Sequence, residues 1–236
     1  MEIRGRRECK ACGTQWSYYE TGAISCPACG SAHSVGTDDE RTTHTATAAT
    51  LDLTPIRNDL DSEPIDRLAA RTSERTRAFT RGYGFIDAGR LVRIDDTYLA
   101  AMELKHVAAE LSRRIDVSEE EEWYFTELLR ADERVRPSTD VVPESLRDMR
   151  GLAYADAVEE YRSDVRTYLK KSPDPTITDT LERLSTHLKR IRALDGDVPP
   201  QESETLVGAA REVGRYLADG EEGELAAAEE RLDSLG

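Results

Sequence analysis

The sequence predicts two unlike parts: a small N-terminal β-hairpin module built around four cysteines, and an all-α helical bundle behind it. Three observations carry this expectation. All four cysteines of the 236-residue chain fall in two CxxC pairs between Cys9 and Cys29. From Pro64 onward, apolar residues recur at helical spacing. Aromatic residues make up only 6% of the chain against 38% hydrophobic in total. A core filled mostly by Leu, Ile, Val and Ala suits packed helices better than a β-sandwich. The length allows one large domain or a small module plus a medium one, and the composition favours the second.

The N-terminal module spans residues 1–36. Its pairs read Cys9-Lys10-Ala11-Cys12-Gly13 and Cys26-Pro27-Ala28-Cys29-Gly30. A CxxC turn places two thiolates on one side of a metal ion, each about 2.3 Å from it, and two such turns complete a tetrahedral zinc shell. Glycine after each second cysteine permits a left-handed turn that aims backbone N–H groups at the thiolates. Gly13 to Ser25 is long enough for a hairpin, with alternation over Thr14–Tyr18 and a turn at Thr21-Gly22. Ser31 to Val35 can add a short closing strand. The metal ligands are therefore Cys9, Cys12, Cys26 and Cys29, and the expected ion is one structural zinc. Four thiolates leave no open position for a catalytic water, and a redox CxxC would need a single motif opening a helix. A spare ligand role for His33 or His44 is not needed.

The pattern CxxCG…CPxCG, over about residues 7–36, resembles the zinc ribbons of general transcription factor B and of archaeal RNA polymerase subunits. That resemblance implies zinc knuckles joined by a β-hairpin. A second resemblance lies in composition. The net charge is −15, the acids are spread along the whole chain, and only five of the 32 basic residues are lysine. This resembles the cytosolic proteins of salt-accumulating halophilic archaea, among them proteins that pair such a ribbon with a helical region of unknown role. In molar salt the Debye length is about 3 Å, so the acidic balance does not by itself exclude nucleic acid.

Charge is unevenly placed. Residues 1–36 carry four bases against three acids, a net of +1, so the rest of the chain holds the acidic excess. Arg4, Arg6, Arg7 and Lys10, together with Tyr18 and Tyr19, are the candidate contacts to nucleic acid, as guanidinium groups grip phosphates and rings stack on bases. Trp16 is expected to cover the metal site instead, and Tyr18 and Tyr19 are open to either role. No run approaches the ~20 apolar residues that span a bilayer, and Met1-Glu2-Ile3-Arg4 lacks the apolar core of a secretory signal. The expectation is a cytoplasmic protein with no membrane association, whose cysteines bind metal rather than forming disulfides.

Residues 37–63 are rich in Thr and Asp without a period and read as a linker or loosely docked segment. The all-α domain is assigned to 64–236. Its first helix places Ile65, Leu68, Ala69 and Thr72 on one face up to Phe79, and Arg81-Gly82-Tyr83-Gly84-Phe85 interrupts it. Asp95 or Asp96 caps the next, carrying Leu99, Met102, Leu104, Val107, Ala108, Leu111 and Ile115. Ser118 before Glu119–Glu122 is a helix start, with Trp123, Phe125, Leu128 and Leu129 expected to face inward. Pro143 opens a longer helix that Pro173 and Pro175 break. Ile177, Leu181, Leu184, Leu188 and Ile191 then alternate spacings of four and three, a seam suited to packing inside a bundle. A further helix holds Leu206, Val213, Tyr216 and Leu217, and a short tail helix holds Leu225 and Leu232.

No Ser-His-Asp set, carboxylate metal site or nucleotide loop emerges. His106 and His187 are lone helical histidines, and Gly82-Tyr83-Gly84 follows no strand with a phosphate-loop pattern. The functional expectation is a non-enzymatic structural-zinc protein, an adaptor on nucleic acid or on the transcription or translation machinery, with a protein partner and no small-molecule substrate. The alternative is a pure protein–protein interaction module with a purely structural ribbon.

Overall fold

A computed structural model describes residues 1–47 and 49–235. The cysteine module begins with β1 (Glu2–Ile3), followed by β2 (Arg6–Cys9), β3 (Gln15–Ser17), the single-turn helix α1 (Tyr18–Thr21) and β4 (Ser34–Gly36). β2 is the centre of a three-stranded antiparallel sheet, with β3 on one side and β4 on the other. The register sets Arg7 opposite Trp16 and opposite Gly36. The strand after the first knuckle and the closing strand β4 are both present, but no strand returns after Thr21-Gly22: β3 pairs instead with β2, across the first knuckle, and α1 takes the place of the expected hairpin's second arm.

Residues 37–63, read as a linker or loosely docked segment, carry elements of their own and dock on the body. β5 (Thr42–Thr43) pairs antiparallel with β1, Glu2 facing Thr43. α2 (Thr54–Arg57) follows, and Leu53 and Ile56 beside and within it are fully buried. The physical reason is that a few apolar residues suffice to dock a polar stretch when they enter an existing core. Leu53 and Ile56 join the cluster of Leu68, Leu104, Val107 and Phe125. Asp132 fixes the segment from below, accepting from Leu53 N at 2.7 Å and from Arg57 Nη1 at 2.5 Å.

The helical body comprises α3 (Ile65–Gly82), a small hairpin of β6 (Ile86–Asp87) and β7 (Arg90–Leu91), then α4 (Asp96–Leu111), α5 (Glu119–Leu128), α6 (Arg147–Leu169), α7 (Thr178–Ala193), α8 (Pro200–Asp219) and α9 (Glu222–Asp233). The small strand region followed by a mostly helical domain is the fold class the sequence predicted. The hairpin was not foreseen. Its two-residue turn, Ala88-Gly89, has φ of 46° and 82°, the pair of left-handed residues such a turn requires, and alanine in that position gives no signal.

α4 is the hub. Tyr98 through Leu104 are all buried, because α3 packs on one side of it and α6 on the other. One core lies between α4, α6, α7, α8 and α9, and a second between α4, α5 and the docked segment. Asp95 is the N-cap of α4, its Oδ1 accepting from Tyr98 N at 2.7 Å. Ser118 and Glu121 form a reciprocal capping box on α5. Two expectations fail locally. Trp123 is half exposed while Tyr124 and Phe125 are buried, and Ile115 is fully exposed beyond the end of α4. In α5 the buried arc is set by Tyr124, Phe125 and Leu128, which leaves Trp123 on the outer edge.

Across this junction runs a buried polar network invisible to hydropathy patterning. Glu103 and Arg150 are both 0% exposed and lie 3.4 Å apart. Tyr124 and Tyr154 donate to Glu103, the latter at 3.1 Å, and Arg150 also pairs with Glu204 on α8 and donates to Pro137 O at 3.2 Å. The charges are compensated in place, and no solute reaches them.

Candidate metal centre

The two knuckles are built alike. Gly13 N donates to Cys9 O and Cys9 N donates to Thr14 O; Gly30 N donates to Cys26 O and Cys26 N donates to Ser31 O, all at 2.9 Å. Gly13 and Gly30 have φ of 76° and 71°, the left-handed conformation that closes each turn at no steric cost. The four Sγ atoms lie within 4.8 Å of one another, with Cys9–Cys29 and Cys12–Cys26 at 3.6 Å. Sulfurs on a tetrahedral zinc, each about 2.3 Å from the ion, sit just under 4 Å apart. All four cysteines are free, Cys9 and Cys26 buried and Cys12 and Cys29 at the surface.

The sulfurs of the cluster differ in acidity because their hydrogen bonds differ. Hydrogen bonding with Thr14, first its side chain and then its backbone, draws Cys12 down to about 6. Cys29 is pushed up to about 12, since the favourable Ser31 backbone contact is outweighed by the neighbouring sulfurs Cys12, Cys9 and Cys26. Four thiolates at this spacing repel one another until a metal ion neutralises them. The set can hold an ion such as zinc and, with four soft donors, leaves no position for a reacting water.

The remaining candidates separate. Arg6 faces Asp38 at 3.8 Å and Lys10 faces Glu8 at 2.9 Å, so both are paired locally. Trp16 is half buried, with Nε1 donating to Ala23 O at 3.0 Å across α1. Tyr18 and Tyr19 turn onto His44, with ring centroids 5.8 and 4.9 Å away. Tyr19 also covers Gly5, where a Cβ would stand 2.0 Å from the ring. Both rings are thus committed to the joint between module and body. His44, 4% exposed, is the pin of that joint. Its backbone pairs with Met1, and its Nδ1 accepts from Ala88 N at 3.2 Å on the β6–β7 turn. Lys171, just past the C-terminal end of α6, reaches Glu2 at 2.9 Å. His33 stays exposed.

Arg4 and Arg7 come together with a residue that sequence reasoning missed. With Arg41 they line a recess of about 430 Å³ around Gly36. A Cβ at Gly36 would meet Arg4 Cβ at 2.5 Å, so glycine is what admits Arg4 there. Arg7 is held by Ser34, with Nε to Oγ at 3.0 Å and Nη2 to Oγ at 2.9 Å. Among the described residues no carboxylate pairs with Arg4, Arg7 or Arg41, and Glu2 at the rim is taken by Lys171. Arg41 carried no sequence signal, because only the β1–β5 pairing brings it to this face.

No described helix is long and apolar enough to cross a membrane. No curated protein and no solved structure matches the chain. Residues 1–232, module and helical body together, do match one family, and the chain accordingly belongs to DUF7117, a family of unknown function.

Proposed function

We propose that the protein is a non-enzymatic adaptor in which a structural zinc ion rigidifies the N-terminal module and the module presents an arginine recess to nucleic acid or to the machinery that handles it. The observation that carries this reading is the convergence of Arg4, Arg7 and Arg41 on one face without carboxylate partners, in a chain of net charge −15. Guanidinium groups left without carboxylate partners in so acidic a protein are matched to phosphate oxygens. The helical body, the acidic part, supplies the protein-binding surface.

The test is fluorescence anisotropy with labelled single- and double-stranded oligonucleotides across a salt series. Each phosphate contact contributes roughly 0.7–0.9 to the slope of log K against log salt. Replacing Arg4, Arg7 and Arg41 together by Ala is expected to lower the slope by about 2–3, and wild-type binding without that change would refute the reading.

A second reading is favoured by one observation, the commitment of Tyr18 and Tyr19 to His44. With both candidate tyrosine rings turned onto His44, the module is a cap and the protein a pure interaction module. In that case a nuclease-resistant partner recovered from the host survives the triple arginine substitution.

A further inference from the structure

A second concave surface lies in the helical body, away from the four cysteines. It is a recess of about 250 Å³ between α3, α4 and α6, with Arg77 and Arg81 from α3, Lys105 from α4, Tyr98 and Met102 at its floor and Glu160 on its rim. Arg77 and Arg81 are one helical turn apart, where like charges oppose each other. Among the described residues neither has a carboxylate within ion-pairing distance, although this chain holds 47 acidic residues. Lys105, one of only five lysines, is half buried, and its Nζ finds only Met102 Sδ, at 3.6 Å. Burial holds its amine below the ordinary lysine range. Asp156 and Glu160 pull the other way without reaching it, and Asp156 is engaged by His106 at 3.2 Å and Arg192 at 2.9 Å.

The floor is equally specific. Tyr98 is 1% exposed and stacked on Tyr83 with centroids 4.5 Å apart, and its hydroxyl makes no hydrogen bond among the described residues. The neighbouring Tyr83 hydroxyl is by contrast used, donating to Asp95 Oδ2 at 3.0 Å. The recess therefore offers three cations against one rim carboxylate, an unpartnered phenol and an apolar floor. Its volume sits just below the usual range of small-molecule sites, about 300–1,000 Å³. A nucleic-acid strand or peptide is too large for it, and a singly charged anion would leave cationic charge uncompensated.

We propose that this recess binds a doubly charged phosphate group, free or carried on a small molecule whose body rests on Tyr98 and Met102. Lys105 and the two arginines hold the oxygens, and the Tyr98 hydroxyl donates a further hydrogen bond. This site is independent of the arginine recess on the cysteine module and survives if nucleic-acid binding there is refuted.

The experiment titrates the zinc-loaded full chain with inorganic phosphate, phenyl phosphate and acetate in turn at pH about 7.5 and constant ionic strength. Binding is read by calorimetry and by backbone amide shifts. The expected result is saturable binding of both phosphates, phenyl phosphate at least as tight, with shifts confined to residues 77–83, 98–105 and 160. Arg77→Gln with Arg81→Gln, both exposed and so harmless to folding, should weaken binding about tenfold or more, as should Lys105→Met. Absence of saturable phosphate binding, equal affinity for acetate, or undiminished binding by the arginine double variant would each overturn the proposal.

Discussion

Thr45 Oγ1 donates to Asp164 Oδ2 at 2.6 Å, and the same oxygen accepts from Phe85 N at 2.6 Å. One carboxylate on α6 thereby ties together the docked segment and the approach to the β6–β7 hairpin, over 119 residues of sequence. Ile86 N closes the arrangement by donating to Thr45 Oγ1 at 2.9 Å. The contact depends on Gly84, where a Cβ would stand 2.3 Å from the Thr45 carbonyl. Because the obstacle is backbone, it cannot swing aside. Gly84→Ala is expected to destabilise the protein by about 1–3 kcal/mol through forced displacement. Asp164→Ala, which orphans two donors, should cost about 1.5–3 kcal/mol. Urea unfolding measures both, and a midpoint unchanged in either variant would mean that the joint bears no load.

What the sequence disclosed and what it hid follow from the range of the interactions. The four-cysteine cluster was legible because a CxxC turn is local: Cys9 and Cys12 meet through four residues of backbone, whatever the rest of the fold does. The Leu181–Leu184–Leu188–Ile191 seam and the helix start at Ser118 are local for the same reason, and both are present, the start as a capping box with Glu121. The docked segment was hidden because Thr42 and Thr43 become strand only by pairing with Glu2 and Ile3, some 40 residues away. Glu103 and Arg150 carried no signal in the sequence, since only the meeting of α4 with α6 makes each the other's counterion. Trp123 was misplaced because Glu119–Glu122 fix where α5 starts but not how it is rotated.

For the metal centre, Cys26→Ser with Cys29→Ser is expected to reduce bound zinc from about one per chain to none, since the surviving pair supplies only half a shell. Atomic emission on the dialysed protein reads this directly, and undiminished zinc would show that the four-thiol site is not where the ion sits. Helical circular dichroism should hardly change. Both large apolar clusters are formed outside residues 1–36, so the module can loosen without emptying them.

The buried pair makes a sharper prediction. Arg150→Met leaves Glu103 in the core with no cation, at a cost of about 3–5 kcal/mol, the usual consequence of stranding a buried charge. Burial already holds the Glu103 carboxyl above its ordinary 4.5, with Arg150 and the two tyrosines pulling it back. Without Arg150 the folded state binds that proton more tightly still than the unfolded chain. The variant should therefore be least impaired below pH 4.5 and lose stability as the pH rises through the folded-state value. Adding Glu103→Gln should recover part of the loss and flatten the pH dependence. Additive losses with no recovery would show that the two side chains are not coupled.

His44 supplies the last. Burial pushes its imidazole below 6.5, with Asp87, 3.4 Å away, acting in the opposite sense. The neutral ring is the one that fits, because Nδ1 must accept from Ala88 N. A histidine whose folded value is depressed contributes stability that is present above 6.5 and is lost as the pH falls below it toward the folded value. The loss should appear at the joint rather than in the helical cores. Between pH 7.5 and 6, amide exchange at Met1–Ile3, Thr43–Thr45 and Ala88, normalised for intrinsic rate, is expected to accelerate while that of α4 stays constant. His44→Phe retains a ring for Tyr18 and Tyr19 but cannot take a proton, so its exchange at the joint should be faster at pH 7.5 and nearly flat across the range. Zinc content measured on the same samples separates this from release of the ion, which frees the knuckles rather than β1 and β5. A wild-type joint as insensitive to pH as the His44→Phe joint would show that the module is held by its backbone pairing alone.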